Sequence, residues 1–172
     1  MPHATVRAPH RLGGSLVAVL LATTACPEPE PEPEACAGAG DPVLSLANRD
    51  GGDALMAGDE VEVFPPPQGG VFTEFDVTIE DMAASELEAL RVTIERDSSG
   101  EALATVRFFG EGLPLLCTEE EVLVVDNLPV GFDASVTLDG LDGVPVVITA
   151  TVETADGDFI SRYDATLRRT DY

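Results

Sequence analysis

No lysine and no tryptophan occur in these 172 residues, and histidine and tyrosine appear twice each. Each absence removes a class of chemistry. Without a lysine amine there is no Schiff base. Both imidazoles, His3 and His10, fall within residues 1–25, which are expected to be cleaved as a signal peptide, so in the mature chain Ser-His-Asp and Cys-His arrangements and histidine zinc sites would lack an essential part. A two-carboxylate mechanism of the glycosidase type survives this filter, since it needs only one acid of raised pKa beside an ionised partner. Sugar clefts, however, offer aromatic platforms, and this chain has only Tyr163 and Tyr172 besides its phenylalanines. A small carboxylate-based hydrolase is therefore the alternative reading, and the expectation is no enzyme and no cofactor. Long apolar runs are missing too. The stretch from Leu16 to Ala22 is far shorter than the roughly 20 residues of a membrane-spanning helix.

That short apolar stretch belongs to "LVAVLLATTACPEPEPEPEACAG", residues 16–38. Ahead of it Arg7 and Arg11 supply positive charge, no acid occurs before Glu28, and small residues close it, which reads as a signal peptide over residues 1–25. The "TTAC" that ends it resembles the lipobox of bacterial lipoproteins, departing at Thr23, where leucine is usual, and fitting at Thr24 and Ala25. The resemblance implies that Cys26 becomes a diacylated amino terminus, anchored at the outer membrane and facing the periplasm or the cell surface. Cleavage after Ala25 with a free thiol is the competing outcome. Two acyl chains contribute about 0.8 kcal/mol per buried methylene, enough for stable attachment. Residues 26–40 then form a spacer. In polyproline II, the eight residues from Pro27 to Glu34 would rise about 3.1 Å each and hold the remainder of the chain roughly 25 Å from the lipid.

With residues 1–25 removed, seven arginines face 32 acids, a formal charge of −25. Such a body repels nucleic acid and anionic head groups, so no nucleic acid is expected as a partner, and membrane contact is expected only through the lipid. A protein partner is left open. Export places the remaining cysteines, Cys36 and Cys117, in an oxidising compartment as an even pair, and a disulfide between them is expected, against two free thiols or an intermolecular bond.

Residues 41–172 read as one β domain. In "VFTEFDVTIE" Val71, Thr73, Phe75, Val77 and Ile79 alternate with polar or outward residues, the period of a strand with one buried face. The same period predicts a hairpin of "LRVTIER" (Leu90, Val92 and Ile94 inward) with "ALATVRFF" (Ala102, Ala104, Val106 and Phe108 inward) across "DSSG". A second hairpin joins "VPVVITATVE" to "FISRYDATL" across "TADGD". Shorter strands are expected at "VLSL" (43), "EVEVF" (60), "EVLVVD" (121) and "SVTL" (135), and "ASELEAL" hints at a helical turn. Seven to nine short strands point to an all-β, antiparallel, immunoglobulin-like sandwich. The antibody signature of two inter-sheet cysteines around a tryptophan is absent. Taken whole, "TTAC", the acidic spacer and the strand count resemble bacterial lipoproteins that carry one immunoglobulin-like domain on an acidic stalk. The resemblance implies a non-catalytic binding or structural module.

Three loops carry further candidates. Asp139 and Asp142 in "LDGLDG" and Asp156 and Asp158 in "ADGD" gather carboxylates of the type calcium takes, and a calcium-dependent adhesion module would use them. Their spacing matches no EF-hand loop, and Asp-Gly also serves tight turns for backbone reasons, so no metal is assigned. "FPPPQGG" (64–70) reads as a sandwich corner, with a projecting binding loop as its rival. "EEE" (119–121) reads as a solvated edge that discourages strand-to-strand aggregation.

Overall fold

The computed structural model describes residues 36, 38, 40–49 and 52–170. The signal peptide, Cys26 and the Pro-Glu repeat lie outside them. Nine strands follow in order: β1 (Val43–Asn48), β2 (Asp59–Val63), β3 (Phe72–Glu80), β4 (Ala89–Arg96), β5 (Ala102–Phe109), β6 (Leu116–Cys117), β7 (Leu123–Gly131), β8 (Pro145–Thr154) and β9 (Gly157–Arg169). They build a four-stranded sheet, β1-β3-β7-β6, and a five-stranded sheet, β2-β9-β8-β4-β5, which share one apolar core. All pairs are antiparallel except β2 with β9, which run parallel from Asp59↔Ala165 to Val63↔Arg169. No described helix is long and apolar enough to cross a membrane.

Period-two alternation places the core where expected over most of the sandwich. Thr73, Phe75, Val77 and Ile79 of β3 face inward, as do Leu90, Val92 and Ile94 of β4 and Val146, Ile148, Ala150 and Val152 of β8. Two β-bulges break the rule. Between β4 and β5 the register jumps from Ile94↔Ala104 to Glu95↔Ala102. Leu103 is thereby turned into the core beside Ala104, and Ala102, expected inward, is exposed. Between β3 and β7 the register passes from Phe75↔Leu128 to Val77↔Val125. Asp126 and Asn127 together stand opposite Asp76, with Asn127 at φ 52° and its N–H donating to Asp76 Oδ1 at 2.8 Å. Asparagine tolerates that left-handed angle, and the extra residue lets Val125 and Leu128 both point inward although they are three apart. For this reason β7 continues through "DNLPVG", where alternation alone stops at Asp126.

One expected strand is absent. "SVTL" forms turns and a 3₁₀ segment, Leu138–Gly140, because its groups bond locally: Val136 N to Asp133 O, Gly140 N to Thr137 O and Leu141 N to Leu138 O. The helical turn hinted at in "ASELEAL" is a 3₁₀ turn, Ala84–Glu86, before β4 begins. "FPPPQGG" is the corner that carries the chain from β2 in one sheet to β3 in the other. Gly69 and Gly70 stand at φ 89° and 92°, a region closed to most side chains, and Phe64 bridges Phe72 across the corner. "EEE" caps the β6–β7 hairpin and is fully exposed, with Thr118 N bonded to Val122 O.

The outer edge of β1 is closed from the opposite sheet. Leu46 N donates to the Tyr163 hydroxyl at 3.1 Å, that hydroxyl donates to Leu44 O at 3.2 Å, Ser161 Oγ donates to Leu44 O at 2.8 Å, and Leu55 N donates to Leu46 O at 2.7 Å. A single phenol thus acts as donor and acceptor in place of a neighbouring strand. Tyr163→Phe is expected to cost about 1–3 kcal/mol, the desolvation of edge groups left without a partner, and to raise amide exchange at Leu46. Urea unfolding and exchange at that single amide test it. An unchanged midpoint would mean that water replaces the phenol at no cost.

Candidate functional site

Where the chain enters the sandwich, it is tied down covalently. Cys36 and Cys117 form the expected disulfide, with Cα atoms 5.5 Å apart, and Cys36 is buried. Cys117 lies on β6, so the bond fastens the start of the domain to the edge of the four-stranded sheet. Two residues on, Gly38 lies so close to Met82 that a Cβ would fall 2.2 Å from the Met82 Cα, and only glycine fits. The entering segment is therefore docked before β1 begins.

The four aspartates singled out for calcium do not converge. Asp139 pairs with Arg169, and Asp142 Oδ1 accepts the Arg169 N–H at 3.0 Å. Asp156 and Asp158 lie beyond the other end of β8, about 33 Å away for ten residues at 3.3 Å each. Asp158 pairs with Arg91 at 3.7 Å, and Asp156 donates its N–H to Thr154 Oγ1 at 3.2 Å within the hairpin turn. Among the described residues, no three His, Cys, Asp or Glu side chains come together as a metal would require. The aspartates act as turn formers and arginine partners.

Two charge clusters escaped the linear reading. On the outer face of the five-stranded sheet Arg91 and Arg107 stand directly opposite each other on neighbouring strands, a pairing of like charges that costs energy on its own. Glu153 resolves it. Its Oε2 accepts from Arg107 Nε at 2.9 Å, its Oε1 lies 3.5 Å from Arg91 Nε, and Arg107 also stacks 4.7 Å from the Phe109 ring centroid. The Arg107 hydrogen bond, helped by the charges of Arg107 and Arg91, holds the Glu153 carboxyl below its ordinary value of 4.5, against a smaller opposing effect of desolvation. That shift is opposite to the one a general acid needs. A depressed carboxylate pKa contributes stability that is complete above the unfolded pKa and is lost as pH falls through the folded one. Glu153→Gln should therefore lower the melting temperature at pH 7, with a difference from the parent that shrinks as pH falls through the lowered pKa of Glu153. A difference that stays constant as pH falls would remove ionisation of Glu153 as its cause.

The second cluster lines a groove of about 330 Å³ formed by Asn48, Arg49, Glu60, Glu62, Phe64, Glu74 and Arg168. Arg49 lies 3.5 Å from Glu74, 4.0 Å from Glu62 and 4.8 Å from the Phe64 ring centroid, and Arg168 lies 3.7 Å from Glu60. A guanidinium set between two carboxylates and over an aromatic ring is a structural ion-pair arrangement. The signal that would have exposed both clusters is cross-strand register, which brings together residues far apart in sequence.

No protein-family model matches the chain, and no curated protein matches it. Among solved structures, it is similar to the CooA pilin subunit from enterotoxigenic Escherichia coli, with 9% identity and a TM-score of 0.38 over 74% of this chain and 98% of that one. A similarity this distant bears on neither the fold nor the function.

Proposed function

We propose that this protein is a lipid-anchored, non-catalytic binding or structural module of the cell envelope, an immunoglobulin-like sandwich held off the outer membrane by its Pro-Glu spacer. The observation that supports this reading is the entry of the chain. A covalent tie between Cys36 and Cys117, beside a glycine packed on Met82, suits a domain that is held from its amino-terminal side. The charge supports it as well. Residues 41–172 carry seven arginines against 28 acids, a formal charge of −21, so the body has no electrostatic means of staying on an anionic membrane, and attachment falls to lipid on Cys26. The test is fractionation of a Gram-negative host expressing the full chain. The parent should sediment with membranes and Cys26→Ser should remain in the soluble periplasm. Equal membrane association of the two would reject the anchor.

A further inference from the structure

Of the four sheet edges, three are closed or guarded. The edge of β1 is filled by Tyr163, Ser161 and Leu55. That of β2 carries Glu60 and Glu62, with Glu60 O taken by Asn48 Nδ2 at 2.9 Å, and β6 is two residues long. Charge and brevity are the usual defences of an edge. β5 has neither. It is eight residues long, reads "ALATVRFF" with no acid in a domain of charge −21, and pairs only with β4. Gly110 N donates to Glu88 O on the β4 side, so by alternation the N–H and C=O groups of Thr105, Arg107 and Phe109 point away from β4. Asp133 N takes up Leu103 O on that same outer side, and among the described residues nothing takes up Thr105, Arg107 or Phe109. The edge also borders a groove of about 210 Å³ where Phe108, Leu113, Val125 and Leu128 stand beside Asp126 and Asn127.

We propose that the β5 edge and this groove together receive an extended segment of another protein, added as a sixth strand, with alternate apolar side chains in the groove and neutral or basic residues elsewhere. Main-chain bonds to Thr105, Arg107 and Phe109 supply affinity, and the groove reads every second side chain. A second copy of this chain fits poorly. Its own β5 already packs Val106 and Phe108 against its own core, leaving nothing to fill the groove, and two bodies of −21 repel. The Pro-Glu repeat fits no better, because it is acidic and offers no large apolar side chain. The inference rests on the binding-module reading and names its surface. Its test involves no membrane, so its failure and that of the anchor are distinguishable.

The experiment follows amide exchange by nuclear magnetic resonance on the full chain. Without a ligand, Thr105, Arg107 and Phe109 should exchange about 100-fold or more faster than Val106 and Phe108. The probes are capped nonapeptides in which Val, Leu, Ile or Phe alternates with threonine and arginine, each paired with a control of the same composition whose apolar residues are consecutive. At least one alternating peptide should slow exchange at those three amides about tenfold and bind about tenfold more tightly than its control. Pro114→Glu, at an exposed position of the groove wall, should abolish that preference while leaving the protein folded. Three outcomes overturn the proposal: protection of the three amides in the ligand-free chain, indifference to every alternating peptide, or protection that rises with protein concentration alone, which would assign the edge to a second copy.

Discussion

Replacing Cys36 and Cys117 together by alanine is expected to lower the stability of the domain by about 4.5 kcal/mol. The two residues are 81 apart in sequence, and a cross-link that closes a loop of that length removes unfolded-state entropy of that order on the chain-entropy model. For a domain of about 130 residues this corresponds to roughly 15 °C in melting temperature. Its origin in the unfolded state has a second signature. Releasing the loop lets the denatured chain expand and expose more surface, so the dependence of stability on urea should steepen as the midpoint falls. Two effects of opposite direction on one urea curve are hard to produce by simple loss of packing. A fall of less than about 1 kcal/mol would mean that the docking of Gly38 and its neighbours holds the entering chain without the bond.

Phe75→Ala is expected to cost about 3–5 kcal/mol, and Phe72→Ala less than about 1.5 kcal/mol, although the two residues are three apart on one strand. Phe75 is fully buried between the sheets, opposite Leu128 at the bulge, and its loss leaves a cavity that the close-packed surroundings cannot collapse to fill. Phe72 lies on the other face, half-buried, with its ring against the Cβ position left empty by Gly131. Paired urea titrations of the two variants give the comparison directly. A reversed order, with the larger loss at Phe72, would mean that the register of β3 is shifted by one residue, which would exchange the buried and outer faces along the whole strand.

The strands that alternation predicts are the ones whose neighbours respect it. "VFTEFDVTIE", "LRVTIER" and the β8–β9 hairpin were legible because each keeps one apolar face without interruption. "DNLPVG" was not legible, since the bulge at Asp126 and Asn127 moves Leu128 back to the core out of phase. "SVTL" looked like a strand because its apolar residues alternate, yet local turns satisfy its backbone before any ladder can. Among the candidate sites, the pairing of Cys36 with Cys117 followed from the expectation of export and from counting the thiols left once Cys26 is set aside, a constraint on numbers that needs no geometry. The arginine clusters and the β5 groove depend on which strands become neighbours, and counting does not supply that.

Composition by itself excluded lysine-amine chemistry and set the charge, because those properties are sums over residues whatever the fold. Alternation by itself determined the all-β class and most of the core, because side chains on a strand must point to one face or the other. Tertiary structure alone decided that β2 runs parallel to β9, that Tyr163 closes the edge of β1, that Glu153 joins Arg91 to Arg107, and that β5 is left open beside a groove. The physical reason is that alternation fixes the face a residue presents, while strand order and register depend on closing loops of tens of residues, whose entropy varies too weakly with length to favour one partner over another. Packing of the two sheets against each other makes that choice.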